Sequence, residues 1–382
     1  MEYFNVPVME RKMGLVYFSI FFFASIMALT TEYSTKYSQL RPGWKVYWYF
    51  FFIFLLLTIG LRHSVGGDWG GYQRWFALAQ EKNLFDLFTF SYDPSFSLIN
   101  WTVARLGGSF YVVNFISTAL FLWGFIKFVS RLERPWLALV VACPYLITVV
   151  SIGYSRQAIA IGLTMIGILS LNKGKNLNFI FWVFLAATFH RSAIILMPLA
   201  PIIFLSTKRF NPVYLLLLVT SIVALSYLIL ITINQKILHY INAEVSSSGA
   251  ALRIAMNVFP AAIYLFFRKN FDLNRVEKKV LTYLSYSAFG LLIFLILLPS
   301  STVVDRLALY WIPLQLFVFS YLPDALGKRG KRNKFWVYMI IIYSFSVLTV
   351  WFYFGKTSYA WIPYRFYPFE LWNFYRHFIE LF

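Results

Sequence analysis

Apolar runs of 13 to 22 residues recur along nearly the whole chain, separated by short polar connections. A membrane-spanning helix needs about 20 mostly apolar residues, with about 17 as the lower bound. The pattern predicts helices near 14–30, 46–61, 110–129, 136–152, 156–171, 177–189, 192–206, 212–233, 251–267, 280–298, 303–322 and 336–355, about twelve in all. No polar stretch is long enough for a separate soluble domain, and open sheets cannot sit in lipid. The pattern therefore predicts an all-α, polytopic integral membrane protein, forming one domain over 1–382. Two segments depart from the run of spans. Residues 62–109 predict a loop with amphipathic helices, and 356–382 an aromatic-rich tail with interfacial helices. Segments 177–189 and 192–206 are short. At 1.5 Å per residue the first covers only about 20 Å. They predict a re-entrant pair of short helices with His190 and Arg191 at its tip. Residues 1–30 have the basic start and apolar core of a signal peptide. They lack a small-x-small cleavage site, so a retained helix is expected.

Composition sharpens this picture. The chain is 60% hydrophobic and 13% charged, where an average soluble domain carries about 25% charged residues. That excludes a soluble globular protein, and the hydrophobicity excludes disorder. The net charge of +19 belongs to positively charged cytoplasmic loops rather than to nucleic-acid binding. Most basic residues fall in alternate connections, around 36–45, 127–134, 173–175, 208–209, 268–279 and 328–334. These connections are expected in the cytoplasm, with the 62–109 loop and the C-terminal tail outside. Arg11 and Lys12 run against that order, because an outward N-terminus should not be basic. The single cysteine, Cys143, forbids an internal disulfide, and four scattered histidines do not make a metal site. No acidic pair has metal-ligand spacing and no phosphate-binding loop is present, so neither metal nor cofactor is expected.

Against this apolar background the polar residues near the outer ends of spans stand out. Arg62, Arg105, Arg156, Arg191, Arg253, Arg306 and Arg365 are all arginine, not lysine. A guanidinium stays charged when buried and binds phosphate through a bidentate fork. Several around one cavity would repel each other unless an anion joined them, which points to a pyrophosphate. The bland alternative is snorkelling at helix ends. Arg156, with Gln157, opens an apolar helix, where backbone amides also favour an anion. The segment from Arg62 to Tyr72 holds four glycines around Asp68, followed by Trp69, Tyr72, Trp75 and Phe76 on one helix side. Asp68 reads as a general base or as a helix cap. Asp93 before Pro94 also reads as a possible cap, with Pro at the first helical position. His190 is the histidine in an apolar setting, and its reference pKa of about 6.5 suits acid–base work. The tail aromatics stack on sugars or anchor at the interface, the second reading being favoured.

In this order the motifs resemble the EpsG-like, Wzy-type polysaccharide polymerases. Arg62, then Gly67-Asp68 and Tyr72, is similar to that family's arginine, Gly-x-Asp and tyrosine element. Asp93-Pro94-Ser95-Phe96 resembles its next acidic element, with Asp where members usually carry Glu. Ser155-Arg156-Gln157-Ala158-Ile159-Ala160 resembles its Arg-Gln-x-x-Ala helix. Phe189-His190-Arg191-Ser192-Ala193 resembles its Phe-His-x-Ser-Ala element, and Arg253, Arg306 and Tyr310 its later positions. The resemblance implies a multi-pass glycosyltransferase of the bacterial inner membrane, with its active site facing the periplasm. Its substrates would be oligosaccharide repeats on undecaprenyl diphosphate, built into O-antigen, capsule or exopolysaccharide. Arginines, with Tyr72, Gln157 and Tyr310, would hold the pyrophosphate or sugar. Asp68, Asp93 or His190 would be the base. The bilayer is the expected partner, and chain-length control would imply a regulator. Three other classes fit parts of the pattern. A lipid-linked sugar flippase should have pseudo-symmetric halves, an O-acyltransferase an inward route for its donor, and an anion transporter no use for the carboxylates.

Overall fold

The computed structural model describes residues 14–30, 42–90, 93–207, 249–297, 301–329 and 331–372, with isolated positions at 212, 216, 219, 220 and 223. Arg11, Lys12 and most of the 212–233 run lie outside the described residues. Among the described residues the fold is all-α, with fifteen α-helices. Helices α1 (Leu15–Thr30) and α2 (Pro42–Gly60) match the first two predicted spans. The long loop folds as α3 (Trp69–Glu81), α4 (Leu84–Phe90) and α5 (Pro94–Arg105). Then come α6 (Phe110–Val129), α7 (Pro135–Ala142) and α8 (Ser155–Asn172). Helix α9 (Asn176–Phe189) and α10 (Leu199–Thr207) follow. The last group is α11 (Ala250–Phe267), α12 (Arg275–Leu297), α13 (Ser301–Ala308), α14 (Ile312–Leu326) and α15 (Lys334–Phe354). Five stretches, 110–129, 250–267, 275–297, 301–326 and 334–354, are long and apolar enough to cross a membrane, and five shorter apolar helices accompany them.

Three predicted spans are interrupted. After α7 the chain runs as a π-helix, Cys143–Ser151. Pro144 has no N–H to give the ladder, and π-helical turns, rare overall, occur mostly as bulges inside α-helices. The Thr148 hydroxyl donates to the Cys143 carbonyl at 2.7 Å, five residues back. The span over 303–322 is likewise split into α13, a 3₁₀ turn (Leu309–Trp311) and α14. The third is 192–206, the second member of the short pair. Helix α9 ends at Phe189, His190 is extended, and a 3₁₀ turn, Arg191–Leu196, leads toward α10.

The chain divides into two compact units, residues 1–159 with 332–382, and residues 160–331. In the first unit α1 packs on α7, on the π-helix and on α15, while α2 packs along α6. Phe23, Trp48, Phe51 and Trp136 form a ring cluster between them, with centroids 5.1 to 6.0 Å apart. Helix α1 is therefore a packed part of this unit. In it Tyr17 is fully buried and donates to the Trp361 carbonyl at 2.8 Å. The Arg134 guanidinium donates to the Arg332 carbonyl at 3.1 Å, which ties two basic connections together at one end. In the second unit α11 packs along α12 and α14, and α13 packs on α11 and on the Arg191–Leu196 turn. Outer faces of α1, α2, α9, α12 and α15 carry exposed Phe22, Ile53, Phe181, Phe294 and Ile342. Such faces suit lipid, whose tails are as apolar as leucine.

Candidate functional site

The first unit gathers the Arg62–Tyr72 segment, the start of α5 and the start of α8. Helix α3 forms because Trp69, Tyr72, Phe76 and Ala79 fall on one face, and that face is buried. Tyr72 packs on Phe96 of α5 with ring centroids 5.4 Å apart. Arg156, in the first turn of α8, reaches this pair. Its Nη1 donates to the Asp93 carboxylate at 2.7 Å. Its guanidinium lies over the Tyr72 and Phe96 rings at 5.5 and 5.9 Å. About a third of the Arg156 side chain is exposed, against 9% for Asp93. Asp68 lies close enough to act electrostatically on both Tyr72 and Arg156. Burial, and then the Asp68 charge, push the Tyr72 hydroxyl up to about 12. Tyr72 thus stays a neutral hydroxyl, and toward Arg156 it is the acceptor.

Neither aspartate uses its side chain to cap the helix it precedes. Both occupy the N-cap position, as read, but their carboxylates face one arginine instead of the helix amides. Asp93 pairs with Arg156, and Asp68 is half-buried. Gln157, beside Arg156, is 4% exposed.

Arg62 sits differently from the expectation of an exposed anion contact. It is 1% exposed. Its Nε donates to the Val65 carbonyl at 3.2 Å, Nη1 to Ile59 at 2.7 Å and Nη2 to the Ser155 hydroxyl at 2.9 Å. It also lies over the Trp69 ring at 5.7 Å. Burial pulls its guanidinium down to about 10, with nearby tyrosines opposing the shift, so it remains a cation at neutral pH. So placed, Arg62 ties the end of α2 to the start of α8. Arg105 is exposed and donates to the Lys82 carbonyl at 3.1 Å, and Arg365 is also exposed.

The second unit gathers the remaining predicted residues. His190 ends α9, and its Nδ1 lies 3.3 Å from the Tyr310 hydroxyl. Tyr310 is fully buried, in the 3₁₀ break between α13 and α14. A partner at Nδ1 helps to set which imidazole nitrogen carries the proton. Arg191 is half-buried in the turn that packs on α13. Arg253, in the first turn of α11, is held by both oxygens of Asp305. Asp305 thus pairs with a residue of another helix, and Arg306 next to it is exposed. Below this pair, Asn257 donates to the Ala308 carbonyl at 2.8 Å and accepts from Gln315 at 2.6 Å. Breaking a mostly buried ion pair on one side typically costs about 3–5 kcal/mol. The Arg253–Asp305 pair is 18% and 16% exposed, so the lower end applies. Asp305→Ala is expected to lower the thermal unfolding midpoint in detergent by several degrees. Removing both charges (Arg253→Met with Asp305→Leu) should recover part of the loss. An Asp305→Ala midpoint equal to that of the parent protein would contradict the pairing.

Sequence reasoning missed the role of the tail. Trp361 is fully buried, and its indole N–H donates to the Thr148 carbonyl of the π-helix at 2.8 Å. Its neighbours pair with the Arg62 segment. Gly66 N–H donates to Ala360 at 2.9 Å, His63 N–H to Arg365 at 2.9 Å and Tyr367 N–H to Leu61 at 2.8 Å. The Tyr364 hydroxyl donates to Thr58 at 2.7 Å. Interfacial anchoring, the favoured reading of these aromatics, thus does not describe Trp361 or Tyr364. It remains open to Tyr359, Phe369 and Trp372, which are exposed. No local signal separates the two groups, because both are aromatics in one run.

A family model described as the EpsG family matches residues 45–366. No curated protein and no solved structure matches the chain.

Proposed function

Because the chain belongs to the EpsG family, a family of polysaccharide-polymerase-like membrane proteins, we propose that it polymerises oligosaccharide repeat units carried on undecaprenyl diphosphate. The reaction would run at the periplasmic face of the bacterial inner membrane. The product would be O-antigen, capsule or exopolysaccharide. The observation that carries this reading is the Arg156 cluster, a third-exposed guanidinium braced by Asp93 with a second carboxylate, Asp68, beside it.

The chemistry follows from these groups. A hydroxyl oxygen at the non-reducing end of the acceptor unit attacks the anomeric carbon of the growing chain. Asp68 takes the hydroxyl proton as general base. The bond from the anomeric carbon to the diphosphate oxygen breaks, and undecaprenyl diphosphate leaves with the electron pair. Arginine donors stabilise the charge that develops on that oxygen, an effect worth about 10²–10³ in rate for a single donor. Arg156 is the first choice for this role, and Asp93 fixes its orientation. Arg62 positions the Asp68 segment from behind. In the second unit, taken by itself, Arg191 and Arg306 are anion contacts, Arg253 and Tyr310 support them, and His190 is a proton carrier. A chain-length regulator is an expected partner.

The reading is tested on a polysaccharide gel from a strain lacking the gene. Collapse of the ladder to a single capped repeat is expected. Loss of every band would indicate a flippase or an earlier step, and an unchanged ladder would overturn polymerisation. The transfer is also expected to need no metal. Purified enzyme should keep its rate in EDTA, and loss of activity restored by Mg²⁺ would refute this.

A further inference from the structure

Gly66 to Asp68 and Gly153 to Arg156 belong to different stretches of chain, yet the proposed chemistry needs Asp68 and Arg156 held together. The two stretches meet where Gly66 backs onto Ile152 and Gly153, and Trp361 touches both. The Trp361 ring lies against Gly67, with an ideal Cβ there only 3.8 Å from its Cη2. It also lies against Gly153, where a Cβ would fall inside van der Waals contact of Cζ2 and within 2.8 Å of Cη2. The Tyr154 ring is 6.4 Å away, tilted at 58°. Behind the ring, Trp351 packs edge-on at 5.0 Å. The ring is held in place. Its N–H is held by Thr148, and its backbone is held by Tyr17 and, through Ala360, by Gly66.

We propose that Trp361 is a positioning residue, a wedge from the C-terminal segment that sets the separation of the Asp68 and Arg156 segments. The role in catalysis rests on the function proposed above; the wedge itself does not. Glycine at 153 is explained by this contact, since any Cβ there would push the indole away. A shift of about 1 Å at reacting groups can cost about 10²-fold in rate. A wedge therefore acts on kcat, whereas a merely structural tryptophan acts on folded yield.

The decisive test is size compensation. Gly153→Ala adds a methyl group against the indole, and Trp361→Phe removes the ring atoms it would strike. Each single variant, reconstituted from its folded fraction, is expected to lower kcat by about 10²-fold with KM little changed. The double variant should recover most of the rate. Either single variant keeping the parental kcat, or a double variant no better than the singles, would overturn the proposal. A second readout is independent of any reaction. Cys143 is fully buried, so Asp68→Cys supplies the accessible thiol. Its alkylation rate should change in the Gly153→Ala background and return with Trp361→Phe. An alkylation rate unmoved by Gly153→Ala would defeat the wedge even if polymerisation held. Conversely, an unchanged polysaccharide ladder in the deletion strain would remove the function and leave the wedge to be judged by alkylation.

Discussion

Arg156→Met is expected to reduce polymer formation by about 10²-fold or more, collapsing the ladder to single capped repeats. Three features combine in that figure. The guanidinium is the third-exposed member of the cluster, it is braced at 2.7 Å by Asp93, and it lies over two rings. Loss of one donor that stabilises developing negative charge typically costs about 10²–10³ in kcat. Arg156→Lys keeps the charge but not the planar fork that reaches carboxylate and diphosphate together. It should fall between the parent and Arg156→Met. Asp93→Asn, which weakens the brace and leaves the arginine, should cost less than Arg156→Met. Folded yield should fall in Arg156→Met, which takes the guanidinium away from the mostly buried Asp93 carboxylate, so the ladder is compared per folded protein; it should stay near the parent in Arg156→Lys and Asp93→Asn. A normal ladder from Arg156→Met would remove this residue from the chemistry.

Gly66→Ala is expected to destabilise the first unit by about 3 kcal/mol or more, summing backbone strain and overpacking. Gly66 has φ +108°, a region L side chains rarely adopt. An ideal Cβ there would also sit 2.5 Å from the Ile152 carbonyl oxygen and 3.1 Å from Gly153 Cα. Both obstacles are backbone atoms, so no side chain can swing aside. The measurement is thermal unfolding in detergent, with folded yield from membranes alongside. Gly70→Ala and Gly71→Ala are the controls. Nothing lies within 4 Å of a Cβ at either position, and alanine favours a helix over glycine by roughly 0.5–1 kcal/mol. Those variants should be as stable as the parent or slightly more so. A Gly66→Ala midpoint within a degree of the controls would show that the close approach is not as tight as described.

The glycine-rich segment shows how far local reading goes. Four glycines around Asp68 announce a tight turn, but only Gly66 is bound by its φ and its neighbours. Gly153 is constrained by a tryptophan some two hundred residues away, a partner no local window contains. Arg62 makes the same point. Its motif position suggests a substrate contact, whereas its 1% exposure and three protein acceptors make it a tie. Asp93 before Pro94 has the local form of a cap, yet its side chain turns to an arginine 63 residues away.

What the sequence determined by itself was the set of elements. Every predicted span within the described residues is helical, and the Phe189-His190-Arg191 break lies between two short helices, as read. Lipid imposes this legibility, since a helix there must satisfy its own backbone and present an apolar surface. Motif order also sufficed for the family. Tertiary structure decided which polar groups meet: Arg156 with Asp93, Arg253 with Asp305, His190 with Tyr310, and Trp361 with the π-helix. Those pairings depend on which apolar faces pack together. When nearly every face is apolar, hydropathy alone does not discriminate among them.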